Sequence, residues 1–98
     1  MKPVRIRADA EADIEQVFHW YETERAGLGV EFRETLRSAL AVISANPRVY
    51  PVVARNTRRA LLRRFPYGIY YQELPDAVVV IACMHMHRDP RRWRSRIS

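Results

Sequence analysis

The chain has 98 residues, a single cysteine (Cys83) and a formal net charge of +6. A chain of this length makes one domain that buries roughly 60–65% of its unfolded surface, with no internal disulfide and no apolar run able to span a bilayer. The opening MKPVRIRADAEAD is too polar for a secretory signal, so one cytoplasmic domain over residues 1–98 is the expectation.

The charge is unevenly placed. Residues 1–47 carry six Lys/Arg and eight Asp/Glu, net −2; residues 48–98 carry eleven bases and three acids, net +8. Every base in the second half is arginine, the side chain that forks onto carboxylates and phosphates and stacks on planar groups. That half expects an acidic partner, either nucleic acid or an acidic protein segment.

Val4-Arg5-Ile6 alternates after a proline and predicts a short strand over 3–7. Asp9 is placed to cap a helix whose apolar positions Ala10, Ile14, Val17, Phe18 and Tyr21 share one face, ending near Arg25. Gly27-Leu28-Gly29 is a tight connection to a second helix over 30–45, with Phe32, Leu36, Ala39, Leu40 and Ile43 inward and Asn46-Pro47 as its stop. Helices joined so closely pack as an antiparallel hairpin.

The stretch NPRVYPVVARNTR has two prolines and no period, and reads as a loop. Strands are predicted over 59–65, 67–74 and 77–86, with Phe65-Pro66 and Pro75-Asp76 between them. In the last, Val78, Val80, Ala82 and Met84 alternate with Val79, Ile81 and Cys83; both faces are apolar, so this strand belongs inside the sheet. Asp89-Pro90 begins a short C-terminal turn or helix. The expected fold is α+β in the order β-α-α-β-β-β: a helical hairpin packed on a small antiparallel sheet, with part of the other sheet face left for a partner.

The stretch MHMHRDPRRWRSR concentrates the candidate chemistry. Cys83, His85 and His87 share a face of an ideal strand and are zinc-type ligands, yet zinc-loop spacings are missing and the only other histidine is His19, so no metal and no cofactor are expected. No polarised nucleophile or glycine-rich phosphate loop stands out. Metal-free RNA cleavage needs a base, an acid and cations, roles open to His85 or His87 and to Arg63, Arg64 and Arg88. The alternative for the arginines is a binding surface, made of Arg58, Arg59, Arg63, Arg64, Arg88, Arg91, Arg92, Arg94 and Arg96. Trp93, amid them, is either a buried anchor for the tail or a stacking platform.

Several segments together resemble the RelE/ParE superfamily of toxins from bacterial type II toxin–antitoxin modules, and more closely its ParE-like plasmid-stabilisation branch. They are ADAEADIEQVFHWY, GLGVEFRETL, NPRVYP, RRALLRRFPYGIYY and VVVIACMHMHRDPRRWRSR. The resemblance implies a helical hairpin on a small sheet. It also implies an antitoxin partner whose acidic or amphipathic C-terminal segment wraps the toxin in a hetero-oligomer. RelE-like members cut mRNA on the ribosome. Arg88 matches their arginine at the end of the last strand, but Gly68 stands where another arginine is found, and Trp93 or its neighbours replace a terminal tyrosine. ParE members poison DNA gyrase without catalysis, and that is the function the resemblance implies here. A ribosome-dependent ribonuclease using Arg63, Arg88 and His85, and a small basic nucleic-acid-binding module, are the alternatives.

Overall fold

The computed structural model describes residues 1–97 and orders the elements as β1 (Val4–Ile6), α1 (Ala8–Glu24), α2 (Leu28–Ala45), β2 (Val52–Ala54), β3 (Thr57–Leu61), β4 (Tyr67–Glu73), β5 (Val78–His85) and α3 (Arg91–Arg94). The five strands form one sheet in the order β1-β5-β4-β3-β2. From β2 to β5 the neighbours are antiparallel; β1 joins β5 in parallel, so the sheet is mixed. The helical hairpin packs on one face, and α3 covers part of the other.

The hairpin is closed by its own side chains. Gly27 takes a left-handed conformation (φ 89°) that few other residues adopt without strain. Glu22, from the end of α1, accepts hydrogen bonds from the amides of Gly27, Gly29 and Val30 at 2.8–3.3 Å. A carboxylate on the open amides of a helix start satisfies donors that have no partner within the helix. Those amide bonds, Gly27's foremost, hold the Glu22 carboxyl below its ordinary range. Gly29 lies against α1: a Cβ there would sit 2.6 Å from the Phe18 carbonyl oxygen and 2.7 Å from Glu22 Cγ. Gly29→Ala is therefore expected to push the helices apart and cost about 1–3 kcal/mol, despite alanine's better helix propensity. An unchanged thermal midpoint would show that the hairpin yields without cost.

The helix-side core joins Ile14, Val17 and Tyr21 of α1 and Phe32, Leu36 and Ile43 of α2 to Ala60, Ile69, Tyr71, Val78, Val80 and Cys83 of the sheet. Tyr21, Phe32, Phe65 and Tyr67 form a cluster of edge and tilted ring contacts at 5.0–6.1 Å. Tyr71 is fully buried and donates its hydroxyl proton to the Pro47 carbonyl at 2.7 Å, so the polar tip is satisfied inside the core.

Several expectations are corrected. The helix begins at Ala8 with Arg7 in the cap position and no side-chain cap; Asp9 lies in the first turn and accepts from Arg7 at 2.8 Å. The second helix starts two residues before 30, because the left-handed Gly27 lets it begin at Leu28. The stretch read as a loop contains β2, an edge strand of three residues that starts directly after Pro51 and pairs on one side only. The strand expected over 59–65 ends at Leu61, and Arg64 takes a left-handed turn (φ 69°) that aims Phe65 into the core.

The strict alternation in β5 also fails. Tyr70 pairs with Ala82 but Tyr71 with Val80, so Ile81 is an extra residue opposite no partner. Such a bulge flips the side-chain parity. Before it, Val78 and Val80 face the helices; after it, Cys83 does, while Ile81, Ala82 and Met84 face the opposite side. That opposite side carries a second cluster, in which Trp93 stacks on Tyr70 with ring centroids 4.4 Å apart and planes 21° from parallel.

Candidate functional site

The predicted basic residues divide into three groups. The first is internal. Arg58 donates to the carbonyls of Tyr50 at 2.7 Å and Arg48 at 3.3 Å, pinning the loop before β2. Arg96 grips both carboxylate oxygens of Asp13, at 2.7 and 3.1 Å, and donates to the Ile81 carbonyl at 2.9 Å. Trp93 is 4% exposed and anchors the tail rather than offering a surface. These three hold the fold together, so a single platform made of all the predicted residues is not what the chain builds.

The second group flanks a groove of about 470 Å³ between α2 and the β3–β4 corner. Arg63 and Arg64 stand beside Leu61 and Val42, both exposed apolar side chains. Arg64 is bonded to Glu31 at 2.6 Å and, with Arg25, holds that carboxyl below its ordinary range. Near this corner, but on the face opposite the helices, Arg59 lays its stem across Gly68: a Cβ at Gly68 would meet Arg59 Cδ at 3.1 Å.

The third group lines a cleft of about 300 Å³ between α1 and the end of β5, shared by Arg88, Arg92, His85, Tyr67 and Trp20. The Tyr67 and His85 rings meet edge-on at 5.2 Å. His85 Nδ1 accepts the backbone N–H of His87 at 3.0 Å, so a neutral imidazole carries its proton on Nε2. Burial raises the Tyr67 phenol above its ordinary range, so it stays a hydrogen-bond donor at neutral pH. Asp13 and Cys83 form the floor: the Cys83 amide donates to Asp13 at 2.9 Å, and burial pushes the thiol up to about 12. At neutral pH that thiol is protonated, without the thiolate that nucleophilic attack requires. Among the described residues no group of three or more His, Cys, Asp or Glu is arranged to hold a metal ion. Arg91 is bonded to Asp89, and the Arg94 guanidinium lies 5.4 Å from the Trp93 ring.

Of the ribonuclease trio, His85 and Arg88 come together in this cleft, and Arg63 belongs to the other groove. Trp20 and Tyr67 were not singled out in the sequence; the one signal was an aromatic next to Tyr21 that falls off the helix's buried face.

This fold is similar to that of a protein of known structure. A chain of the chromosomal ParDE TA system from P. aeruginosa superposes with a TM-score of 0.75 over 87% of this chain and 96% of that one, at 13% identity. The family model described as ParE toxin of type II toxin-antitoxin system, parDE, matches residues 4–90, and the chain belongs to that family. It is thus a type II toxin by family, a setting that supports an antitoxin as partner. No curated protein matches the chain. None of the described helices is long and apolar enough to cross a membrane.

Proposed function

We propose that this toxin binds and poisons DNA gyrase without breaking a bond of its own, and that a cognate antitoxin neutralises it by covering its arginine-bearing surfaces. The observation that carries the reading is the family match over residues 4–90. Two features support it. Gly68 occupies the sheet position where ribonuclease relatives are expected to carry an arginine, and the Arg59 stem packs across it. The groove beside Leu61 and Val42, flanked by Arg63 and Arg64, has the apolar floor and cationic rim that suit an amphipathic acidic segment. The reading needs no cofactor, and it places the toxin in the cytoplasm with the chromosome.

The test is supercoiling by purified gyrase in the presence of the toxin. Lost supercoiling with accumulation of cleaved DNA is expected, relieved by the product of an adjacent antitoxin reading frame. Normal supercoiling and no trapped cleavage at excess toxin would remove gyrase as the target.

The ribonuclease reading keeps one specific observation: Tyr67, His85, Arg88 and Arg92 converge on one cleft, giving proton-transfer groups beside cations. Message cut in a translating extract by the toxin, and spared by the Arg88→Ala variant, would replace the gyrase reading.

A further inference from the structure

The cleft between α1 and the end of β5 offers more binding groups than the fold uses. Trp20 is 56% exposed, although it is among the largest apolar side chains of the chain, and among the described residues its indole meets another ring only at Tyr21, edge-on at 5.0 Å. Arg88 and Arg92 are exposed and, among the described residues, have no carboxylate within 4 Å. Their neighbours differ: Arg91 is taken by Asp89, and Arg96 by Asp13. The carboxylate in the cleft floor, Asp13, is already satisfied by Arg96 and the Cys83 amide. What remains facing the space is two unpaired guanidinium groups, a phenol that keeps its proton, an imidazole with Nε2 as its donor, and a flat aromatic surface.

Donors and cations with no carboxylate in direct contact select an anion, although Asp89 lies near enough to feel the charge of Arg92. The open indole selects a planar group beside it, because stacking covers apolar area that water otherwise wets. We propose that this cleft binds one nucleotide unit of single-stranded nucleic acid, with a phosphate on Arg88 and Arg92 and its base against Trp20. A volume of about 300 Å³ is at the lower end of small-molecule sites and takes one nucleotide, not a helix. An aspartate or glutamate side chain would engage the arginines but leave the indole bare. A duplex keeps its bases stacked inside and presents phosphate alone. A single strand supplies both parts at the right scale, as aromatic-plus-arginine grooves do generally. The site does not depend on strand cleavage or on gyrase poisoning.

Short fluorescein-labelled oligothymidylate and oligouridylate, titrated against the full chain and followed by anisotropy and by tryptophan emission, test the site. Trp93 is buried, so quenching reports Trp20. Saturable binding with quenching is expected for either single strand. Arg88→Ala and Arg92→Ala should each weaken binding by about tenfold, the size of a lost charge-assisted hydrogen bond. Trp20→Ala should weaken it at least fivefold and Trp20→Phe by less, the range of one stacked base being about 1–3 kcal/mol. These side chains are exposed, so thermal midpoints should stay near that of the parent and separate loss of binding from loss of fold. Absence of saturable binding, binding indifferent to Arg88→Ala and Trp20→Ala, or equal competition by an acidic peptide of the same charge would each overturn the proposal.

Discussion

Replacing Trp93 by alanine is expected to lower the thermal midpoint by roughly 10 °C or more, the largest effect of any single change outside the helix-side core. Trp93 is 4% exposed and stacks on Tyr70, itself buried, in the cluster with Ile81, Ala82 and Met84. Truncating a buried tryptophan costs about 3–5 kcal/mol, and a stacked pair adds its own share. For a domain of this size each kcal/mol moves the midpoint by about 4–8 °C. The lower end applies here, because α3 is a single turn near the chain end and can lift away instead of leaving a cavity. Lifting has its own signature: the face carrying Tyr70, Ile81 and Met84 becomes exposed, so a hydrophobic dye should bind the variant well below its midpoint. A midpoint within about 4 °C of the parent, with no dye binding, would mean that the stack contributes less than 1 kcal/mol and that the tail is not what closes this face.

The Trp93 anchor was half legible in the sequence, since a lone tryptophan among arginines leaves burial and stacking both open. Its surroundings were not: Tyr70 faces it by the alternation of β4, but the bulge at Ile81 is what gathers Ile81, Ala82 and Met84 on that side. A bulge is a property of two paired strands, and no single-strand pattern announces it. The helical hairpin, the last three strands and the central place of β5 follow from period and turn residues, which are local signals. β2 was hidden because a short edge strand obeys no alternation rule. The candidate sites follow the same division. That the second half is a field of arginines is plain from composition. Which arginines are free is settled by contacts between residues far apart in the chain, such as Arg64 with Glu31 and Arg96 with Asp13. The family resemblance came through because it sums weak matches over 87 residues, most of which shape the fold and not a site.

The Arg96–Asp13 pair is the second place where one substitution should be felt throughout the tail. The Asp13 and Arg96 side chains are 15% and 20% exposed, and the carboxylate also receives the Cys83 amide at 2.9 Å. Asp13→Ala leaves the Cys83 amide without its acceptor and a mostly buried guanidinium with only the Ile81 carbonyl and the more distant Asp9 carboxylate, 3.6 Å away. Breaking such a pair from one side costs about 3 kcal/mol, less whatever water recovers at the cleft. Asp13→Asn should cost less, since its amide oxygen can still accept one of the two donors. Arg96→Ala removes the guanidinium but leaves a carboxylate that the cleft can hydrate, so the double variant Asp13→Ala/Arg96→Ala should be more stable than the two single losses add up to. Denaturant unfolding of the four proteins gives the coupling directly, and a value under about 0.5 kcal/mol would reduce the pair to an ordinary surface contact. A second cycle joins the two anchors. Trp93 holds the tail to one sheet face and Arg96 ties it to α1, so a tail that undocks as a unit is lost once, by either route. Trp93→Ala/Asp13→Ala should then cost clearly less than the sum of its parts, whereas strict additivity would mean that each anchor holds only its own few residues. The distinction bears on the cleft as well, because Arg88 and Arg92 are carried on the segment that these two contacts fasten down.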